Sequence, residues 1–218
     1  MRQTNSDVAY SDWRRLVQNA NDFEPGDVIA RTMESVHADP QIAAFSDFWC
    51  PPAALLYHRR IVEKIDGWNE TLPVIQDARF LLDAALHGGR FVHAPGVGAF
   101  YRVHNGQSLS RRSNRAFVRD CLENALQVES WWRQQGALTN EQLVAVLNAL
   151  AYVARASFEV DRETFYRAVQ AGNRLKPHWS PQRPHSLRIL SRILGYPQAE
   201  SCALMYRRLK GALSGTQT

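Results

Sequence analysis

The stretch Pro73-Val74-Ile75-Gln76-Asp77-Ala78-Arg79-Phe80-Leu81-Leu82 contains the residue on which our interpretation of the chain depends. It predicts an extended, proline-containing approach that leads into an amphipathic helix over about residues 77–87. Asp77 would lie in the first turn of that helix, where the helix dipole favours a negative charge. An ionised carboxylate that faces a cleft can accept a proton from an attacking hydroxyl group. An aspartate near a helix start is also commonly a cap or a first-turn charge, so the stretch alone leaves both interpretations open.

Two regions of different pattern surround this stretch. Before residue 112 the pattern is mixed, and it predicts strands over residues 53–57, 90–93 and 98–103 with helices over 25–38 and 77–87. The segment 7–13 also reads as a strand from the inside of a sheet, and we expect it to lack a flanking partner. We therefore expect an exposed sheet edge and an uncovered apolar face in this region.

The second region, residues 113–218, is predicted to be helical throughout. A first helix ends at Gly136, and Thr139-Asn140-Glu141-Gln142 has the pattern of a capping box that opens the next one. Further helices are predicted after Asp161, over residues 187–194 and over about 197–213. Residues 161–218 contain ten Lys or Arg against three Asp or Glu, a balance of +7, which leaves −2 for the remainder of a chain with net charge +5. Such a basic helical region could lie on an anionic membrane surface or face an acidic polysaccharide, or it could simply be solvated.

Composition favours a globular protein that can bury a core. The chain has 218 residues, of which 45% are hydrophobic and 22% charged. The first residues show no secretory signal, and the apolar run 143–154 is interrupted by Asn148 and is too short to span a bilayer. The cysteines, Cys50, Cys121 and Cys202, lack metal-type spacing, which favours free thiols in a reducing cytosol. We therefore expect a cytoplasmic protein, either free or peripheral at the inner face of the membrane.

Five segments between about residues 7 and 110 resemble, in order and spacing, the acceptor-side half of a family 2 glycosyltransferase, the inverting nucleotide-sugar enzymes of GT-A fold. The first, residues 52–60, is a strand that ends in an Arg pair, and the second, residues 62–70, is a turn that contains Gly, an aromatic residue, Asn and Glu. The third is the Gln-Asp pair at residues 76–77. The fourth, residues 88–95, is the strand that follows the helix after this pair, and the fifth, residues 101–110, is a closing Arg-x-His … Ser segment.

This resemblance implies roles for single residues. Asp77 takes the position of the family's catalytic base, with Gln76 before it in the substrate site. Trp68, in the preceding turn, would suit stacking on a sugar ring, although a buried tryptophan in the core is an equal alternative. Arg102 could pair with a phosphate group or with Asp77, and His104 takes a position that can complete a metal site.

The chain departs from the family pattern in its donor-binding elements. No two aspartates are separated by a single residue, so the Asp-x-Asp pair that holds a divalent metal on the donor diphosphate is absent from the sequence. Gly96-Val97-Gly98 precedes a predicted strand rather than a helix, so it is not a phosphate loop. We therefore expect that the nucleotide-binding half is missing. The chain is then a truncated reading frame, a split enzyme that needs an upstream partner chain, or a decayed remnant. A divalent metal, Mg²⁺ or Mn²⁺, is expected only for the complete enzyme.

The sequence thus predicts an α/β fold. An incomplete GT-A-like core over residues 1–112 is followed by an α-helical extension over 113–218. The resemblance implies inverting transfer of a sugar from a nucleotide sugar to a glycan or lipid-linked acceptor, in surface polysaccharide assembly. The alternative is an inactive remnant whose helices bind a partner protein or an anionic surface. Nucleic acid is not an expected partner, because no nucleic-acid-binding module accompanies the basic charge.

Overall fold

The computed structural model describes residues 4–19, 22–103 and 113–214. The chain divides into two compact units, Met1–Asp120 and Cys121–Thr218. The division falls within a long helix, Asn114–Gln135, whereas the boundary predicted at residue 112 lies outside the described residues.

The first unit contains a mixed sheet with short helices. Its strands are β1 (Val8–Asn19), β2 (Asp22–Ile29), β3 (Leu55–Tyr57) and β4 (Phe91–Val103), and its helices are α1 (Pro40–Ser46), α2 (Arg59–Ile65) and α3 (Gln76–Leu86), with a 3₁₀ turn at Pro52–Ala54. The predicted strands over 90–93 and 98–103 form the single strand β4, whose pairing with β1 shifts register near Asp12. The predicted α/β composition is confirmed.

Strand β1 is the centre of the sheet. β4 pairs with it in parallel along one edge, while β3 and β2 pair antiparallel with the first and second halves of its other edge. The expectation that this strand lacks a flanking partner was therefore wrong, because pairing partners come from distant parts of the chain. Among the described residues β4 pairs only with β1, and Val97 and Phe100 of β4 are exposed.

The predicted helix over 25–38 was also wrong. Residues Asp22–Ile29 form β2, in which Val28 lies opposite Arg14 and Ile29 opposite Trp13. The backbone groups on this edge of β1 need hydrogen-bond partners, and β-branched Val28 and Ile29 fit an edge strand. The structure of this segment is thus decided by pairing with β1 rather than by local helix propensity.

The core of the first unit lies on one face of β1. Val8 and Tyr10 share this face through strand alternation, Trp13 joins the same core beyond the register shift near Asp12, and all three are at most 6% exposed. Helix α3 covers this face through its buried Leu81 and Ala84. The Tyr10 hydroxyl accepts a hydrogen bond from the backbone N–H of Met33 at 3.0 Å, which fixes the irregular segment after β2.

The second unit is helical, as predicted. Its helices are α4 (Asn114–Gln135), which begins in the first unit, α5 (Asn140–Val160), α6 (Arg162–Leu175), α7 (His185–Leu194) and α8 (Tyr196–Ser214). The capping box predicted for α5 is confirmed: the Thr139 hydroxyl accepts from the Gln142 N–H, and the Gln142 side chain accepts from the Thr139 N–H.

Helix α5 is longer than the apolar run in the sequence indicated. Its 21 residues would suffice to cross a membrane by length and composition. However, a buried stripe of α5 that includes Leu150, Ala154 and Phe158 belongs to the core of this unit, and the Phe158 ring lies 4.8 Å from that of Phe165 in α6. This packing accounts for part of the apolar composition of α5, since 39% of its most apolar window is buried.

Candidate active site around Asp77

The turn before α3 is held by local hydrogen bonds. Helix α2 ends at Asp66 and Gly67, which have positive φ angles of 57° and 86° and reverse the chain direction. The Asn69 side-chain oxygen then accepts from the N–H of Thr71 at 3.0 Å and from its hydroxyl at 2.6 Å. The extended approach is fixed by Asp120, whose carboxylate accepts from the Val74 N–H at 2.7 Å. The short segment between α2 and α3 therefore has a defined path.

Asp77 lies in the first turn of α3, where the sequence predicted it. The helix begins after Ile75, which offers no side-chain cap, and Gln76 is its exposed first residue. The Asp77 carboxylate is half-buried, and its Oδ1 accepts a hydrogen bond from the Ala78 N–H at 2.8 Å. Neither an arginine nor a lysine forms an ion pair with Asp77 within the described ranges. Its second oxygen is therefore not engaged by a cation.

Asp83, six residues along the same helix, has a different role. It is buried and forms an ion pair with Arg79 at 2.7 Å. Its carboxylate is engaged by Arg79 and serves the packing of the helix.

Three aromatic rings, those of Trp68, Phe80 and Tyr57, form a row that begins at the turn before α3. The Trp68 ring stacks on Phe80 with centroids 4.3 Å apart and an angle of 30°, and Phe80 meets Tyr57 edge to face at 5.0 Å. Trp68 is 53% exposed, so one ring face is packed and the other is open to solvent. Of the two alternatives for Trp68, the geometry favours a ring that can receive a ligand.

Tyr57 connects this row to Asp77 electrostatically. Burial raises the pKa of the Tyr57 phenol, and the nearby Cys50 thiol and Asp77 carboxylate add to the rise. Burial also raises the pKa of Cys50, to about 12. Tyr57 and Cys50 thus remain protonated at neutral pH.

Sequence reasoning missed a second aromatic cluster in this unit. The rings of Trp13, Trp49 and Tyr101 meet edge to face, with centroids 5.4 to 5.9 Å apart. Trp13 is buried, Trp49 is half-buried, and Tyr101 is 38% exposed. Trp49 directly precedes Cys50, so this cluster is close in sequence to the Tyr57 neighbourhood. The signal in the sequence is weak because the cluster depends on the pairing of β1 with β4.

Of the two remaining predicted residues, Arg102 and His104, the structure describes only Arg102. Arg102 is exposed on β4, where its guanidinium lies 5.9 Å from the ring centre of Phe23. Within the part of the chain that the structure describes, no ion pair links Arg102 to Asp77. His104 lies outside the described residues.

The metal prediction finds no ligand set in the described part of the chain. Among residues 4–19, 22–103 and 113–214, no group of three or more His, Cys, Asp or Glu side chains is placed to hold a metal ion. Asp12 is an example of a carboxylate whose oxygens already have partners within the sheet. Its Oδ2 accepts from the Gly96 N–H at 2.8 Å, and its Oδ1 contacts His93 Nε2 at 2.7 Å. The Gly96 N–H, with a further contribution from His93, keeps the pKa of Asp12 below its usual value. This pair fastens β1 to β4 at the register shift.

Comparison with known proteins supports the fold. No family model matches the chain, and no curated protein matches it. Among solved structures, the chain is similar to Staphylococcus aureus TarS 1–349 in complex with UDP-GlcNAc, with a TM-score of 0.52 and 14% sequence identity. The match covers 95% of this chain but only 61% of the TarS chain. At this identity the similarity concerns the fold alone. The chain therefore shares a mixed α/β fold with this part of TarS.

Proposed function

We propose that the first unit is the acceptor side of a family 2-like inverting glycosyltransferase of GT-A type, with Asp77 as the general base. The observation that carries this proposal is the half-buried Asp77 carboxylate, which has no cation partner among the described residues and lies on the same helix as the Phe80 support of the open Trp68 ring. The fold shared with part of TarS adds to it. The substrates proposed are a nucleotide sugar and a glycan or lipid-linked acceptor.

The proposed chemistry needs one carboxylate. Asp77 takes the proton of an acceptor hydroxyl, whose oxygen forms a bond to the anomeric carbon from the face opposite the leaving group. The bond from that carbon to the nucleoside diphosphate breaks, and the diphosphate leaves with the electron pair. Inversion follows from this single displacement, in contrast to the paired carboxylates that glycoside hydrolysis requires.

Trp68 and Gln76 would position the acceptor. A pyranose ring presents an apolar C–H face that packs on an aromatic ring, and the open face of Trp68 is available for it. Gln76 is exposed beside Asp77 and can exchange hydrogen bonds with sugar hydroxyls. Arg102 and His104 remain proposed contacts of the donor diphosphate and the metal.

The donor-binding part is proposed to come from another polypeptide segment. The sequence has no Asp-x-Asp pair. Strand β4, with its exposed Val97 and Phe100, offers an edge that a further strand could join. A bound Mg²⁺ or Mn²⁺ would be held mainly by that segment.

The test combines donor binding with sugar transfer. Calorimetric titration with UDP-GlcNAc and other nucleotide sugars, with and without Mn²⁺, first establishes whether this chain binds a donor alone. Sugar transfer is then measured with the chain alone, if it binds a donor, or together with the donor-binding segment. In either case Asp77→Asn should lower kcat by about a hundredfold to ten-thousandfold, because general-base assistance is lost.

Asp66→Asn provides the matched control. Asp66 is an exposed carboxylate in a left-handed conformation that asparagine tolerates, so activity should be unchanged. Full transfer activity in Asp77→Asn would show that Asp77 is not the base.

A specific surface favours the alternative function of the helical unit. Helix α7 carries the exposed cation Arg192, and α7 and α8 also expose large apolar side chains: Ile189, Ile193, Leu194, Met205, Tyr206 and Leu209. Apolar side chains beside cations suit an anionic membrane surface at the cytoplasmic face. Sedimentation with phosphatidylglycerol vesicles should be lost in Ile193→Asp but kept in Val144→Asp, which alters another exposed apolar residue, on α5. Equal sedimentation of both variants would contradict this role.

A further inference from the structure

A cavity of about 930 Å³ in the helical unit is lined by arginines. Its walls come from α5, from the segment 181–183 and from α8, and they include Asn148, Tyr152, Arg155, Glu159, Arg183 and Arg207. The volume is within the range of small-molecule sites. Nothing in the proposed glycosyl transfer uses these residues.

The positive charge of this cavity is not neutralised by its own acid. Arg155 is half-buried, and its Nη1 donates to the backbone oxygen of Arg183 at 3.3 Å. In the described part of the chain neither Arg155 nor Arg183 has a carboxylate partner. Glu159, the acid in the wall, is already bound by Arg208 at 2.9 Å. The cavity therefore presents guanidinium groups that lack anions.

The third guanidinium, that of Arg207, is held in place by the buried carboxylate of Glu200. Both terminal nitrogens of Arg207 donate to Glu200 Oε1, at 3.2 and 3.1 Å, and Glu200 has no exposed surface. A carboxylate this deeply buried needs a cation partner, so Arg207 cannot easily rotate away from it. Its orientation at the cavity wall is consequently defined before any ligand arrives.

A buried phenol reports that the arginines lie near one another. Burial raises the pKa of Tyr196, with a further rise from Glu200, while Arg155 and Arg207 both act in the opposite direction. Arg155, Arg207 and Glu200 therefore share one electrostatic neighbourhood. The site is a set of guanidinium groups converging on a cavity with a buried acid as its support.

We propose that this cavity binds a phosphate-bearing ligand. Guanidinium groups match phosphate oxygens with paired N–H donors and keep their charge at all physiological pH values. Tyr152, which is 54% exposed, and the Asn148 amide can contact the organic part of such a ligand through ring packing and hydrogen bonds. This site does not depend on Asp77, so it stands or falls independently of the proposed transferase activity.

The experiment titrates the whole chain with pyrophosphate and with glycerol 3-phosphate in a calorimeter at physiological salt. Saturable binding is expected, and Arg155→Gln combined with Arg183→Gln should weaken it at least tenfold, because two charge-assisted contacts are lost. Glycerol 3-phosphate should bind more tightly as pH rises through about 6, where a phosphate monoester gains its second charge.

Matched variants separate this site from others. Arg162→Gln removes an exposed arginine of the same unit that does not line the cavity, and it should leave binding unchanged. Asp77→Asn should also bind pyrophosphate normally. Arg155→Lys with Arg183→Lys keeps both charges but not the paired donors, and it should give intermediate affinity. Its circular dichroism spectrum reports whether the fold is kept.

Two results would overturn the proposal. One is the absence of saturable pyrophosphate binding tighter than about 10 mM. The other is binding that the double Arg→Gln variant retains in full. The source of the phosphate is decided by vesicles that contain phosphatidylglycerol. Release of bound chain by pyrophosphate would assign a lipid headgroup to the cavity, whereas binding of pyrophosphate without release would assign a soluble ligand.

Discussion

Asp7 in the first unit and Glu200 in the second are both buried carboxylates held by arginine, but their surroundings differ. Asp7 has several partners: its Oδ1 accepts from Arg60, and its Oδ2 accepts from the Arg90 N–H at 2.9 Å and lies 3.5 Å from the Arg90 side chain. For Glu200 the bonded cation is Arg207, and Oε2 has no hydrogen-bond partner in the described part of the chain.

This difference separates a structural role from a binding role. Asp7 joins the start of β1 to α2 and to the residue before β4, so both of its carboxylate oxygens have partners within the unit. Glu200 instead engages a single arginine whose other surface faces a cavity. A well-satisfied carboxylate stabilises the unit around it, whereas a sparsely satisfied one makes the position of its cation critical.

The largest effect is expected from Arg207→Met. It leaves Glu200 buried without a cation, which should lower the free energy of unfolding by about 3 kcal/mol, at the lower end of the range for buried pairs. The lower end applies because the Arg207 side chain is 42% exposed and partly screened by water. Urea denaturation measures the change. Adding Glu200→Leu to this variant should restore much of the loss, and a double variant no more stable than Arg207→Met would contradict this account.

A smaller effect, with a pH signature, is expected from Asp7→Asn. Burial raises the pKa of Asp7. The Arg90 N–H and the Arg60 and Arg90 side chains together lower it by more than burial raises it, so the folded-state pKa lies below its ordinary value. Stability from Asp7 is therefore fully present above the unfolded-state pKa of about 3.9 and is lost as pH falls through the folded-state value.

Asp7→Asn should lower the free energy of unfolding by about 1.5–3 kcal/mol at pH 7 and flatten its decline below pH 4. Urea denaturation from pH 7 to pH 2 tests both statements. An unchanged acid decline would place the acid-sensitive group elsewhere.

The smallest effect is expected from Trp68→Ala, which tests the binding role of the first unit. Loss of the open ring should raise the acceptor KM about threefold to tenfold, in line with about 0.5–1.5 kcal/mol for aromatic stacking, with little change in kcat. Trp68→Phe should keep most of the affinity, because phenylalanine can also stack on Phe80. A large fall in kcat at unchanged KM would place Trp68 in the chemical step instead.

The sequence predicted the helical unit better than the sheet, and the reason is the range of the interactions. The Thr139 capping box is a local pattern, and it was confirmed. Strand β2 was predicted as a helix because its structure depends on pairing with β1. The first-turn position of Asp77 was local and predictable, whereas its connection to Trp68 through Phe80 needed the folded turn.

The arginine cavity was beyond prediction for the same reason. The excess of basic residues after residue 161 was visible in the sequence, and Arg207 follows Glu200 by two helical turns. Arg155 and Arg183, however, belong to other segments and meet only in the fold. Charge counting indicated a basic surface, and only the structure shows that part of it converges on a cavity.

Burial of Cys50 makes its thiol a probe of how often the first unit opens. Its thiol, with a pKa raised to about 12, cannot react with a maleimide at neutral pH unless the first unit opens, whereas Cys202 is exposed. The labelling rate of Cys50, calibrated against Cys202, would therefore measure how often the surroundings of Asp77 open. A ligand that binds beside Tyr57 should slow that rate, so alkylation kinetics can screen acceptors before any catalytic assay exists.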